Sequence, residues 1–154
     1  MILEEARRNL VEHTRMDESS SHRLISSMLK AFPEATVAGY EPLIAAMTND
    51  EKDRHVVAAA IRCHAQVIVT TNLKHFSDGA LEPYGLEAQH PDEFLCYLFD
   101  LDPGRVLQAV TEQAADLRRP PRTILEVLEG LGRFVPDFAE LVRGALPPTM
   151  TAPT

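Results

Sequence analysis

Two short segments hold the residues best able to do chemistry: Asn49-Asp50-Glu51-Lys52-Asp53-Arg54-His55-Val56 and Thr70-Thr71-Asn72-Leu73-Lys74-His75-Phe76. Carboxylate and amide oxygens are hard donors, the kind that Mg²⁺ and Mn²⁺ accept, and such ions support hydrolysis of phosphate esters. The same acids have a plainer structural use. Asp50 could cap a helix while Asp53 takes the third helical position of a capping box, both favoured by the helix dipole. Other chemistries fail at the level of motif. There is no GxGxxG and no GxxxxGK[ST], and the seven glycines are scattered, which argues against nucleotide-cofactor chemistry. No HExxH and no His/Cys spacing marks a tetrahedral zinc site, and His55 and His64 lie nine residues apart. Ser19-Ser20-Ser21 has no strand-turn-helix setting for a nucleophile and reads as a helix cap or linker.

The elements that must position these segments follow from periodicity. Val56, Val57, Ala58, Ala59, Ala60, Ile61 and Cys63 are apolar nearly all round a helix over 50–64, which predicts burial on most sides. Val67-Ile68-Val69-Thr70-Thr71 follows at once, a β-branched run suited to a parallel strand covered on both faces. A buried helix running straight into a buried strand marks an αβ unit of an α/β sheet. Asn72 then falls at the carboxyl end of that strand, where ligands gather in such sheets.

Upstream, Ile2, Ala6, Leu10 and Val11 predict an amphipathic helix of about twelve residues, and Leu24, Ile25, Met28 and Leu29 a second one ending before Pro33. Ala35–Tyr40 suits a short strand, 42–47 a helical turn or two, Ser77–Leu81 a further turn, and Gly85–Ala88 another short strand. A helix starts at Pro91 with Phe94, Leu95, Leu98 and Phe99 on one face. Beyond Asp102 only helices are expected, each beginning near a proline: Pro103, Pro120-Pro121 and Pro136. The predicted organisation is therefore an α/β domain over 1–101, a helical C-terminal extension over 102–146 that packs on it, and a disordered tail over 147–154.

A chain of 154 residues with 45% apolar content is one domain, or one domain with an appendage. With 15 Lys and Arg against 23 Asp and Glu the net charge is −8, so contact with a polyanion must rest on a local patch. Apolar runs fall well short of the roughly 18 residues that cross a bilayer, and the first helix carries Glu4, Glu5, Arg7 and Arg8. Neither a membrane span nor a signal peptide is expected. Cys63 and Cys96 both sit in apolar helical patterns as reduced, buried thiols, in keeping with a cytoplasmic protein.

The order of motifs is more specific than any one of them. Asp53-Arg54-His55-Val56 with its alanine-rich helix, Val67-Ile68-Val69-Thr70-Thr71-Asn72-Leu73-Lys74-His75-Phe76, Tyr84-Gly85, and Pro91-Asp92-Glu93-Phe94-Leu95 together resemble the distal half of a PIN domain. The likeness is to the bacterial VapC-like toxins that carry a helical C-terminal extension. It spans about residues 2–100, and 102–146 more loosely. The resemblance implies a three-layer α/β/α fold with a parallel sheet. It also implies the toxin component of a type II toxin-antitoxin system, acting as a metal-dependent endoribonuclease. In that family acidic and amide side chains converge on Mg²⁺ or Mn²⁺. Carried over by position, Glu5, Asp53 and Asn72 are the catalytic candidates, with Glu5 and Asp53 as metal ligands. His75 stands where members have Asp or His. Arg8, Lys52, Arg54, Lys74 and His75 are the candidate contacts to the RNA backbone, and their alternative is solvated surface charge.

This chain departs from the pattern at its start. It opens directly into the helix bearing Glu5, without the hydrophobic strand that ends in the family's first aspartate. The reading is of a truncated or degenerate relative, impaired as a nuclease. Its sheet edge would be covered by self-association or by a complementing N-terminal segment. A cognate antitoxin is the implied protein partner. The alternative is a catalytically inactive PIN-like module that binds an antitoxin or RNA.

Overall fold

A computed structural model describes residues 2–13, 16–118 and 120–147. The tail expected to be disordered over 147–154 lies outside these residues except for Pro147. Among the described residues no helix is long and apolar enough to cross a membrane. The chain divides into two compact units, Met1–Ile68 with Asn72–Ala88, and Val69–Thr71 with Gln89–Thr154.

In the first unit, α1 (Ile2–His13) and α2 (Glu18–Ala31) form an amphipathic pair. The start of α2 is fixed by Asp17, whose carboxylate accepts from the Ser20 amide at 2.8 Å. That bond, with a second from the Ser20 hydroxyl, holds the Asp17 carboxyl down at about 2. Two 3₁₀ turns, Pro33–Ala35 and Glu41–Ala46, lead to a third, Glu51–Asp53, which runs into α3 (Arg54–Arg62). α3 buries His55, Val57, Ala58, Ala59 and Ala60, as its apolar circumference predicts. It ends where His64 adopts a left-handed φ of 57°, so that the Ala65 amide donates to the Ala60 carbonyl at 2.9 Å and the chain turns sharply toward β1 (Val67–Val69). A 3₁₀ turn, Leu73–His75, the short α4 (Asp78–Leu81) and another 3₁₀ turn, Glu82–Tyr84, lead to β2 (Glu87–Gln89). Val57, Ala58, Ile68, Phe76, Leu81 and Leu86 make the core of this unit.

The sheet is small. Glu87 donates its amide to the Gln66 carbonyl at 3.0 Å and Thr70 donates to the Gln89 carbonyl at 2.9 Å, a parallel register between β1 and β2. Three expectations need correction. β1 covers three residues rather than five, and Val69 is 43% exposed, so the strand is not buried on both faces along its length. The strand expected within Ala35–Tyr40 does not form. Gly39 takes a left-handed φ of 74°, which bends the chain away from extended pairing, although Tyr40 is buried as an apolar anchor. Cys63 is exposed at the end of α3 and Cys96 half-buried, both as free thiols, so neither is a fully buried core residue.

The second unit is helical: α5 (Pro91–Leu101), α6 (Pro103–Asp116), α7 (Ile124–Leu131) and α8 (Pro136–Ala145). Asp102 caps α6 through the Arg105 amide at 3.0 Å, and Thr123 with Glu126 forms a reciprocal capping box on α7. α8 receives no hydrogen bond from the side chain at its own N-cap, Val135. Its first amides, on Asp137 and Phe138, donate instead to the Asp92 carboxylate at 3.1 and 2.8 Å. Phe99, Val110, Val127, Leu128, Phe138 and Val142 form the core. α5, placed by the sequence with the first domain, contributes Phe99 and Asp92 to this helical unit, which begins near residue 89 rather than 102.

Candidate metal centre

The site lies in the first unit, where the 3₁₀ turn before α3 meets the turn after β1. Asp50 opens the first turn, its Oδ1 accepting from the Lys52 amide at 3.1 Å. Asp53 occupies the N-cap position of α3, yet its side chain caps nothing. The capping-box use of Asp53 is therefore not the one adopted. Its carboxylate turns to His75, with Oδ2 at 2.7 Å from Nδ1. The Asn72 amide nitrogen lies 2.7 Å from the same Nδ1, and Asp50 Oδ1 lies 4.0 Å from it. One donor atom each from Asp50, Asp53 and His75 falls within 4.8 Å of the other two.

The protonation of this knot restricts what it can hold. A ring nitrogen carrying a proton donates it to Asp53, and the Asn72 amide then presents its oxygen, since the two ends of an amide are assigned by the network around them. A ring nitrogen without a proton accepts from Asn72 but faces the carboxylate lone pair to lone pair. That contact is repulsive unless a cation lies close to both. Two carboxylates, an imidazole and an amide are a donor set that fits a divalent cation such as Mn²⁺, and Mg²⁺ less well because of the nitrogen.

Asp53, Asn72 and His75 are thus brought together from turns some twenty residues apart in sequence. Glu5 is not a member of the Asp50, Asp53 and His75 group. It lies on α1, half-buried, with Oε2 at 3.1 Å from Nε2 of His55, two residues past Asp53 on α3. His75, expected as an RNA contact, stands inside the cluster. Of the other expected RNA contacts, Arg8, Lys52 and Lys74 are exposed, whereas Arg54 is half-buried and donates through Nε to the Asn49 carbonyl at 3.3 Å. Sequence reasoning missed Asp50 as a cluster member. The signal was its spacing of three from Asp53, since residues i and i+3 eclipse in a 3₁₀ turn and share a side.

The chain thus combines an α/β unit that carries an acid and imidazole cluster with a helical unit. Residues 91–144 match the family model described as the VapC50 C-terminal domain. Over 109 residues the chain is 49% identical to the protein named "Putative ribonuclease VapC50" of Mycobacterium tuberculosis (strain ATCC 25618 / H37Rv), a span of 71% of this chain and 64% of that relative. The chain covers less than two thirds of that relative's length. No solved structure matches it. The resemblance to VapC-like ribonucleases drawn from the motifs is borne out by these likenesses.

Proposed function

We propose that the chain is the toxin of a type II toxin-antitoxin pair, an endoribonuclease that hydrolyses RNA phosphodiesters with a divalent cation held at Asp50, Asp53 and His75. The convergence of those three side chains within 4.8 Å carries the reading. The ion, when bound, supplies charge stabilisation for the phosphoryl oxygens and a more acidic attacking water. The protein's own residues do the rest. Asp53 anchors the site because it stands at the rigid start of a buried helix. Asn72 and His75 are held by the turn that follows β1, and Asp50 adds a second carboxylate. Lys52 and Lys74, exposed on the two turns that build the site, suit the RNA backbone as point charges, with Arg8 on α1 as a further cation. Glu5, which lies against His55 outside that group, is the further acid that the resemblance assigns to the ligand set. The α/β unit is read as PIN-like, with three layers, and the free cysteines accord with a cytoplasmic setting. A cognate antitoxin is the protein partner, as the VapC likeness suggests.

The test is cleavage of a mixed RNA pool by the full chain with Mn²⁺. Cleavage is expected to stop with a chelator and to fall more than about a hundredfold in Asp53→Asn. Cleavage indifferent to both changes would sink the metal mechanism, and RNA binding without any cleavage would mark the chain as a binding module.

A further inference from the structure

His55 is the buried titratable group for which the proposed chemistry has no use. It occupies the second position of α3 and is 4% exposed. Its Nε2 lies 3.1 Å from Glu5 Oε2, but the direction is poor, and among the described residues this buried nitrogen makes no hydrogen bond of acceptable geometry. Buried polar atoms of native proteins nearly always find a partner. The Glu5 carboxylate, 39% exposed, is an acceptor within reach. α1 has no buried residue of its own to fix it, and its Arg7 pairs with Glu18 of α2. The contact with His55 is thus a polar tie between Glu5 and the start of α3.

We infer that His55 is a positioning residue for the divalent-cation site. With the proton on Nε2, the ring donates to Glu5 and holds its carboxylate beside the start of α3, two residues from Asp53, ready to enter the ligand set. His55 itself touches neither ion nor RNA. A half-exposed carboxylate loses positional freedom through one buried donor, and ligands oriented in this way bind metals more tightly. This inference rests on reading the Asp50, Asp53 and His75 cluster as a metal centre.

The experiment is a Mn²⁺ titration of the full chain followed by electron paramagnetic resonance, with thermal melts alongside. His55→Ala is expected to weaken Mn²⁺ binding about tenfold, and Glu5→Ala by at least as much. The double variant should bind no more weakly than Glu5→Ala alone. His55→Gln, whose amide nitrogen reaches about as far as Nε2, should recover most of the affinity, which a role in packing alone would not predict. Wild-type affinity in His55→Ala, full additivity in the double variant, or a His55→Gln protein as weak as Glu5→Ala would each overturn the role of His55. If His55→Ala does not fold, the comparison of His55→Gln with Glu5→Ala decides the matter. Unchanged Mn²⁺ affinity in Asp53→Asn would overturn the metal centre itself, and this inference with it.

Discussion

A single nitrogen sets the ion preference to be expected of the proposed centre. His75 Nδ1 stands 2.7 Å from Asp53 Oδ2, where an all-oxygen site would have a third carboxylate. Imidazole is a softer donor than Mg²⁺ favours, whereas Mn²⁺ tolerates it. The chain is therefore expected to hold Mn²⁺ against an excess of Mg²⁺. His75→Asp should cut that preference about tenfold by making the donor set oxygen only. Competition of Mg²⁺ against bound Mn²⁺ reads the ratio directly, and an unchanged ratio would remove His75 from the ligand set. At this scale the sequence was legible where residue type and strand end coincide, as at Asn72, and where an acid precedes a buried helix, as at Asp53. It was silent about which partner each side chain selects. Asp50 looked only like a cap, and it is one, yet a 3₁₀ turn also sets it beside Asp53. Glu5 meets His55 because two helices meet, and no spacing within either helix encodes that contact.

Helices were the most legible elements, because an apolar stripe or circumference needs no knowledge of the neighbour. α3 and α5 to α8 begin close to where their caps and prolines place them. Strands were less so, because a β-branched run says that extended chain is favoured but not how many neighbours it finds. β1 is accordingly shorter and more exposed at Val69 than its composition suggests. The cap of α8 was invisible for the same reason, since Asp92 lies 45 and 46 residues before the amides it accepts from. Asp92 is 8% exposed, so its loss leaves buried donors without acceptors. Asp92→Ala is expected to destabilise the helical unit by roughly 1–3 kcal/mol in denaturant unfolding, while Asp92→Asn, which keeps one acceptor, costs less. A change under about 0.5 kcal/mol for the alanine variant would show that the amides are satisfied otherwise.

Charge and folding order belong to the whole molecule. With a net charge of −8, contact with RNA must rest on a local cationic group, and the proposed one is Arg8, Lys52, Arg54 and Lys74. For single-stranded RNA four such contacts give a slope of log Kobs against log salt of about −3. Filter binding at several salt concentrations tests this, and a slope near −6 would demand a second basic surface. The clasp between Asp92 and α8 bears on how the second unit is made. α8 has ten residues, fewer than the roughly 12–15 that sustain an isolated helix in water. During synthesis α5 leaves the ribosome before α8 does, so the Asp92 carboxylate has to wait for the amides of Asp137 and Phe138. The first turn of α8 is therefore coupled to the burial of Asp92 on a helix far upstream, which ties the two ends of the unit into one cooperative whole.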